Sequence, residues 1–172
     1  ALFVLLVAVV IAYSSVFTVD QTEQALVVRL GEPVGVVTDP GLHFKAPFID
    51  TVILIDRRIL DLENPSQEVI ASDQKRLVVD AFARYRIKDA LRFYQSVGSI
   101  QAANVQLTTL LNASLRRVLG EVTFIQVVRD EREALMGRIR DQLDKESGAY
   151  GIQVVDVRIR RADLPEQNSQ AV

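Results

Sequence analysis

Apolar residues dominate the first nineteen positions, then alternate or recur at helical spacing through most of the remaining chain. Residues 1–19 carry no charge, no proline and no glycine, and Asp20 is the first charged residue. As one helix rising ~1.5 Å per residue, the run would reach about 28 Å, close to the ~30 Å hydrocarbon core of a bilayer. The pattern predicts a transmembrane anchor over residues 1–19, carried by Leu2, Phe3, Leu5, Leu6, Val9, Val10, Ile11 and Phe17. Two readings compete. Ala12-Tyr13-Ser14 is a small-x-small triplet of the kind that ends a cleaved signal peptide. A buried core helix is the other, but no polar face interrupts the run. On the side that can be read, Asp20 and Glu23 precede the first basic residue, Arg29. An acidic flank of this kind favours translocation, so the bulk of the chain is expected outside the cytoplasm.

The pattern beyond the anchor is first strand-like, then helical. Residues 25–30 and 34–37 read as strands about a Gly31-Glu32-Pro33 turn, and residues 51–55 are a β-branched run. Residues 68–71 and 77–87 flank a hairpin loop at residues 72–75. In the second arm Leu77, Val79, Ala81, Ala83, Tyr85 and Ile87 share one face, with Asp80, Arg84 and Arg86 on the other. Asp89 is placed to cap a short helix. Ser99 is placed to cap a longer one with the stripe Ile100, Ala103, Leu107, Leu110, Leu111, Ser114 and Val118. Gly120 stands where a left-handed C-terminal cap is wanted. Thr123 with Gln126, and Asp130 with Glu133, have capping-box spacing, the second opening a helix to about Tyr150 with an Asp141–Lys145 pair on its surface. Gly151 ends it. Residues 152–161 form a last strand, with Val155, Val157 and Ile159 inward and Asp156, Arg158 and Arg160 outward. Strands first, then helices closed by one strand, predict an α+β fold rather than a doubly wound α/β fold.

Composition narrows the function classes. The net charge of −2 offers no basic field for nucleic acid. Absence of cysteine removes disulfides, thiolate catalysis and zinc–cysteine sites. The single histidine, His43, stands between Leu42 and Phe44, without the partners a triad or metal site needs, and reads as structural. No G-x-S-x-G, P-loop or dinucleotide fingerprint is present, so neither a catalytic residue nor a cofactor is expected. The basic cluster Arg158, Arg160 and Arg161 reads as an exposed strand edge, where charge discourages aggregation. One loop is sharper. Leu42, Phe44, Lys45 and Phe48 lie on a proline-bracketed stretch some twenty residues after the anchor, and form a candidate membrane-contact loop with Lys45 reaching toward headgroups. The competing view packs these side chains under the first domain.

An N-terminal anchor, then PGLHFKAPFIDTV at residues 40–52, then GIQVVDVRIRRADLP at residues 151–165 together resemble the SPFH (stomatin, prohibitin, flotillin, HflK/C) or band 7 family, and within it the HflC branch. The loop sequences identify the superfamily; residues 151–160 with Asp163-Leu164-Pro165, and residues 15–19, are more specifically HflC-like. The resemblance implies two SPFH subdomains, at residues 20–90 and 91–165, set on a membrane, with residues 166–172 beginning a coiled coil that the sequence cuts short. It also implies a non-enzymatic scaffold that alternates with an HflK-like subunit in a large hetero-oligomeric ring or cage around an FtsH-like membrane AAA protease. The implied location is the bacterial inner membrane, single-pass, with the soluble domain periplasmic. A stomatin-like organiser of membrane proteins or lipids, and a membrane-tethered hydrolase, are the alternatives. The short link between the last helix and the last strand lacks an insertion that some HflC proteins carry there.

Overall fold

The longest alternating run becomes the strand on which the larger half of the fold is built. In the computed structural model, which describes residues 1–165, strand β8 (Arg76–Ile87) is central and all its neighbours are antiparallel. Strands β6 (Leu60–Glu63) and β7 (Gln67–Ile70) share one edge of it, β6 beside residues 82–85 and β7 beside residues 76–79. The other edge belongs to β9 (Ile152–Asp163). Leu77, Val79, Ala81, Ala83, Tyr85 and Ile87 are all buried, as their alternation predicts. Helices α3 (Ile100–Leu119) and α4 (Arg132–Ser147) cover that face.

Local chemistry explains the helix ends. Asp89 accepts from the N–H of Arg92 and opens α2 (Ala90–Ser96); Ser99 accepts from the N–H of Ala102 and opens α3. The α3 stripe of Ala103, Leu107, Leu111, Leu115 and Val118 is buried, each leucine contributing roughly 1.5–3 kcal/mol of transfer free energy. Gly151 has a φ of +70°, and a Cβ there would lie 2.4 Å from the carbonyl oxygen of Asp89. Its own carbonyl accepts from the N–H groups of Lys88 and Asp89, at 2.9 and 3.0 Å, so the end of β8 is stitched to the start of β9 at this glycine. Gly120 differs from expectation: its φ is −69°, right-handed, and what it supplies is room, since a Cβ would meet the carbonyl oxygen of Arg116 at 2.7 Å. Thr123 and Gln126 do make the expected contact, the Thr123 N–H donating to Gln126 Oε1 at 2.9 Å, but the segment they open is a π turn over Gln126–Asp130. No side chain caps α4, and Asp141 is taken by Arg140.

Strand β9 departs from simple alternation. Its register against β8 skips Val155 and Arg160, two bulges, so Ile152, Val154, Val157 and Ile159 all reach the core while Val155 does not. The outer edge of β9 is closed by α4 side chains: Asp144 Oδ1 accepts from the N–H of Val154 at 2.9 Å, and Met136 Sδ from the N–H of Ile159 at 3.4 Å. Arg132 donates to the carbonyls of Ile159 and Arg160. The arginine cluster lies elsewhere, on the open face of the sheet, where Arg160 stacks over Phe82 at 4.6 Å, Arg158 faces Asp156, and Arg161 bonds to Asp163.

A smaller β unit precedes this. Strands β1 (Val16–Val19) and β4 (Gly41–Phe44) pair as a ribbon, and β2 (Glu23–Arg29) is central between β3 (Glu32–Val37) and β5 (Asp50–Asp56). Leu26, Val28 and Ile55 join the main core, and Gln24 Nε2 donates to the carbonyl of Ile87 at 3.3 Å, tying the units together. The architecture is α+β throughout: antiparallel sheets, then helices closed by a strand. Strands β6 to β8, assigned from sequence to residues 20–90, share their sheet with β9. Residues 166–172, expected to begin a coiled coil, lie outside the described residues.

The helical part of the predicted anchor is shorter than residues 1–19. Helix α1 spans Leu2–Ser14, thirteen residues and about 20 Å at ~1.5 Å each. Among the described residues no helix is long and apolar enough to cross a membrane. The hydroxyls of Ser14 and Ser15 both donate to the carbonyl of Ile11, at 3.0 and 2.6 Å, and the helix stops there. Residues 16–19 are β-branched and aromatic and find a strand partner in residues 41–44, which outcompetes another turn of helix.

Candidate membrane-contact site

Phe17, placed by sequence in the anchor, lies in β1 with its ring 5.7 Å from that of His43, its cross-strand neighbour. His43 Nε2 lies 2.7 Å from the carbonyl oxygen of Asp39, so that nitrogen carries the proton and donates. The ring is held between a carbonyl and an aromatic face, a structural setting. The other anchor residues, Leu2, Phe3, Leu5, Leu6, Val9, Val10 and Ile11, are all on α1, and each is exposed. This helix is apolar on every side and buries no residue against the rest of the chain.

The candidate loop sits beside the end of that helix. The N–H of Lys45 donates to the carbonyl of Ser15 at 2.7 Å. Leu42, Phe44 and Phe48 are exposed, Phe44 and Phe48 by 77% and 80%. The alternative packing, under the first domain, is not what the structure adopts.

One buried carboxylate shapes the loop. Asp50 accepts two hydrogen bonds from Arg29, at 2.8 and 3.2 Å, and a third from the N–H of Ala46 at 2.9 Å. The Arg29 hydrogen bonds, then the Ala46 N–H, hold the Asp50 carboxyl below the usual carboxylate range against its desolvation. The N–H of Asp50 in turn donates to the carbonyl of Ala46, closing a tight turn over residues 46–50. Within that turn Phe48 has a φ of +67°, a conformation costly for a bulky side chain.

The adjacent hairpin repeats the device. Leu30 and Gly31, joining β2 to β3, both have positive φ, at +50° and +91°. Two-residue hairpin turns of this sort prefer Asn-Gly, whose asparagine tolerates the left-handed region. Here a leucine takes the strained position and is 81% exposed. The N–H of Leu30 donates to the carbonyl of Ile49 at 3.2 Å, so the two turns are neighbours. Leu30 and Ile49 thus extend the apolar tip formed by Phe44 and Phe48. Sequence reasoning missed Leu30, reading it as the end of a strand; leucine before glycine in a two-residue turn was the available signal.

Residues 17–172 match the SPFH domain / Band 7 family. The chain belongs to that family. This SPFH chain is 29% identical over 216 residues to the modulator of FtsH protease HflC of Escherichia coli K12, an alignment covering 98% of the chain and 65% of that protein. It is 32% identical to protein HflC of Haemophilus influenzae, covering 98% of the chain and 61% of the relative. Against protein HflC of Buchnera aphidicola from Acyrthosiphon pisum it is 33% identical, covering 92% and 58%. The SPFH chain therefore spans less than two thirds of these relatives' own length. The alignment with the E. coli protein is longer than the 172 residues of the chain, so that relative carries residues with no counterpart here.

Proposed function

We propose that this chain is a non-enzymatic, membrane-associated scaffold, HflC-like, that assembles with an HflK-like subunit into a large ring or cage and modulates an FtsH-like membrane AAA protease. The observation that carries this reading is the 29–33% identity to HflC proteins over nearly the whole chain, one of them named for modulating FtsH. The apolar surface of α1 and the exposed tip of Leu42, Phe44 and Phe48, linked through Lys45, support attachment to a lipid bilayer. Lys45 then meets the headgroups while the aromatic rings enter the acyl boundary. The acidic residues Asp20 and Glu23 after α1 support a bacterial inner-membrane location with the folded part on the periplasmic side.

The test is a mild-detergent pull-down of the full-length protein from its native membrane, with mass spectrometry of what accompanies it. An HflK-like subunit and a membrane AAA protease in one large particle are the expected result. A homo-oligomer with neither would replace this reading with a stomatin-like organiser.

A further inference from the structure

Among the described residues, the outer edge of β5 is the longest strand edge that nothing covers. The phase of its ladder with β2 is set by the pairs at the two ends. The N–H of Leu30 donates to the carbonyl of Ile49, and the N–H of Arg57 to that of Thr22. Counting by twos between them, Thr51, Ile53 and Ile55 turn their N–H and C=O groups toward β2. Val52 and Leu54 therefore turn theirs outward, where no described residue bonds to them. Residues 51–55 contain no charge, proline or glycine, and the Leu54 side chain is exposed.

An edge in this state is a template for another strand. The other edges are capped, interrupted or short. Asp144, Met136 and Arg132 cap β9. Pro33 and a bulge at Val34 blunt one end of β3. Strands β6 and β7 are four residues each.

We propose that β5 receives the β3 edge of the neighbouring subunit of the same fold, so that the three-stranded sheet continues from one subunit to the next. This rests on the ring-forming reading above and names its contact. Strand direction selects β3 as the partner. Both β3 and β5 run antiparallel to β2, hence parallel to one another. Joining β5 to a neighbour's β3 keeps every apolar tip pointing the same way, as attachment to one membrane demands. Antiparallel pairing of two β5 edges would turn one tip away from the bilayer. Beyond the bulge, Val36 turns its N–H and C=O to the open side of β3, where parallel pairing lets them bond to the carbonyl of Val52 and the N–H of Leu54 and sets the exposed Val36 side chain beside Ile53. The contact is head-to-tail, and such contacts close into rings when the rotation per subunit allows.

Two variants of the full-length protein in its native membrane test this. A photo-crosslinking benzoylphenylalanine in place of Leu54 should form adducts with a neighbour's β3, residues 34–37 of a second copy or the matching strand of the partner subunit. Leu54→Pro removes an outward N–H that β2 does not use, and should abolish the large particle while keeping the thermal unfolding curve of the unaltered chain. Ile53→Pro breaks the chain's own ladder and serves as the misfolded control. Adducts confined to other surfaces of an intact particle, or a Leu54→Pro particle of unaltered size, overturn the proposal while leaving the ring intact. Absence of any large particle in the unaltered protein overturns the ring reading itself.

Discussion

In the helix-backed sheet, Leu77, Val79, Tyr85 and Ile87 point into a core closed by Leu107, Leu111, Ile139 and Leu143. In the small sheet the largest apolar side chains at the tip, Leu30, Phe44 and Phe48, point into open surroundings. The same contrast holds for backbone. The edge of β9 is met by three side chains of α4, while Val52 and Leu54 present theirs bare. Burial and capping in one region give stability. Exposure in the other has no folding rationale, and Leu30 and Phe48 hold positive φ to maintain it. One polypeptide thus combines a part whose apolar side chains are buried with a part that leaves its apolar side chains exposed.

Substitutions should separate the two parts, beginning where the effect is largest. Gly151→Val forces a β-branched side chain into a left-handed position against the Asp89 carbonyl. A loss of about 4 kcal/mol, at the top of the usual range for single substitutions, is expected in urea unfolding. Leu111→Ala opens a cavity beneath the sheet, at an expected cost of about 3 kcal/mol by the same measurement. A loss under about 1 kcal/mol at Leu111 would show that the α3 interface is not where stability resides.

Tyr85 makes a third, pH-dependent test. Its hydroxyl donates to Asn104 Oδ1 at 2.6 Å, and burial, with the Asp56 carboxylate adding to it, pushes its phenol up to about 12. A raised pKa means that the folded state favours the neutral phenol. The stability it contributes is therefore complete below pH ~10 and disappears as the pH rises toward 12, by roughly 2–3 kcal/mol. Tyr85→Phe should cost about 1 kcal/mol at neutral pH and flatten the alkaline decline; an unchanged decline would assign it to other groups.

The smallest effect on folding belongs to the tip. Phe44→Ser together with Phe48→Ser should change stability by less than about 0.5 kcal/mol, since neither ring is buried. Co-sedimentation with phospholipid vesicles should nevertheless fall. Undiminished vesicle binding by the folded double variant would remove these rings from the membrane-contact site.

Local pattern by itself determined much of the helix-backed part. The alternation of residues 77–87, the caps at Asp89 and Ser99 and the stripe of α3 are each written within a few residues, because pleat, cap and helix pitch act over that range. The loop of Leu42, Phe44, Lys45 and Phe48 could likewise be singled out, as three large apolar residues and a lysine beside Pro40 and Pro47, and its apolar side chains are exposed. Tertiary structure alone decided the rest. Residues 16–19 read as helix until a strand twenty-five residues later claims them. The inward set of β9 moves from Val155 to Val154 at a bulge that only its pairing with β8 creates. Leu30 joins Phe48 at one tip through hydrogen bonds of Asp50, a residue that sequence offers as one acid among many. In each case the deciding contact joins residues far apart in the chain, and hydrophobic periodicity carries no record of which distant strand will supply it.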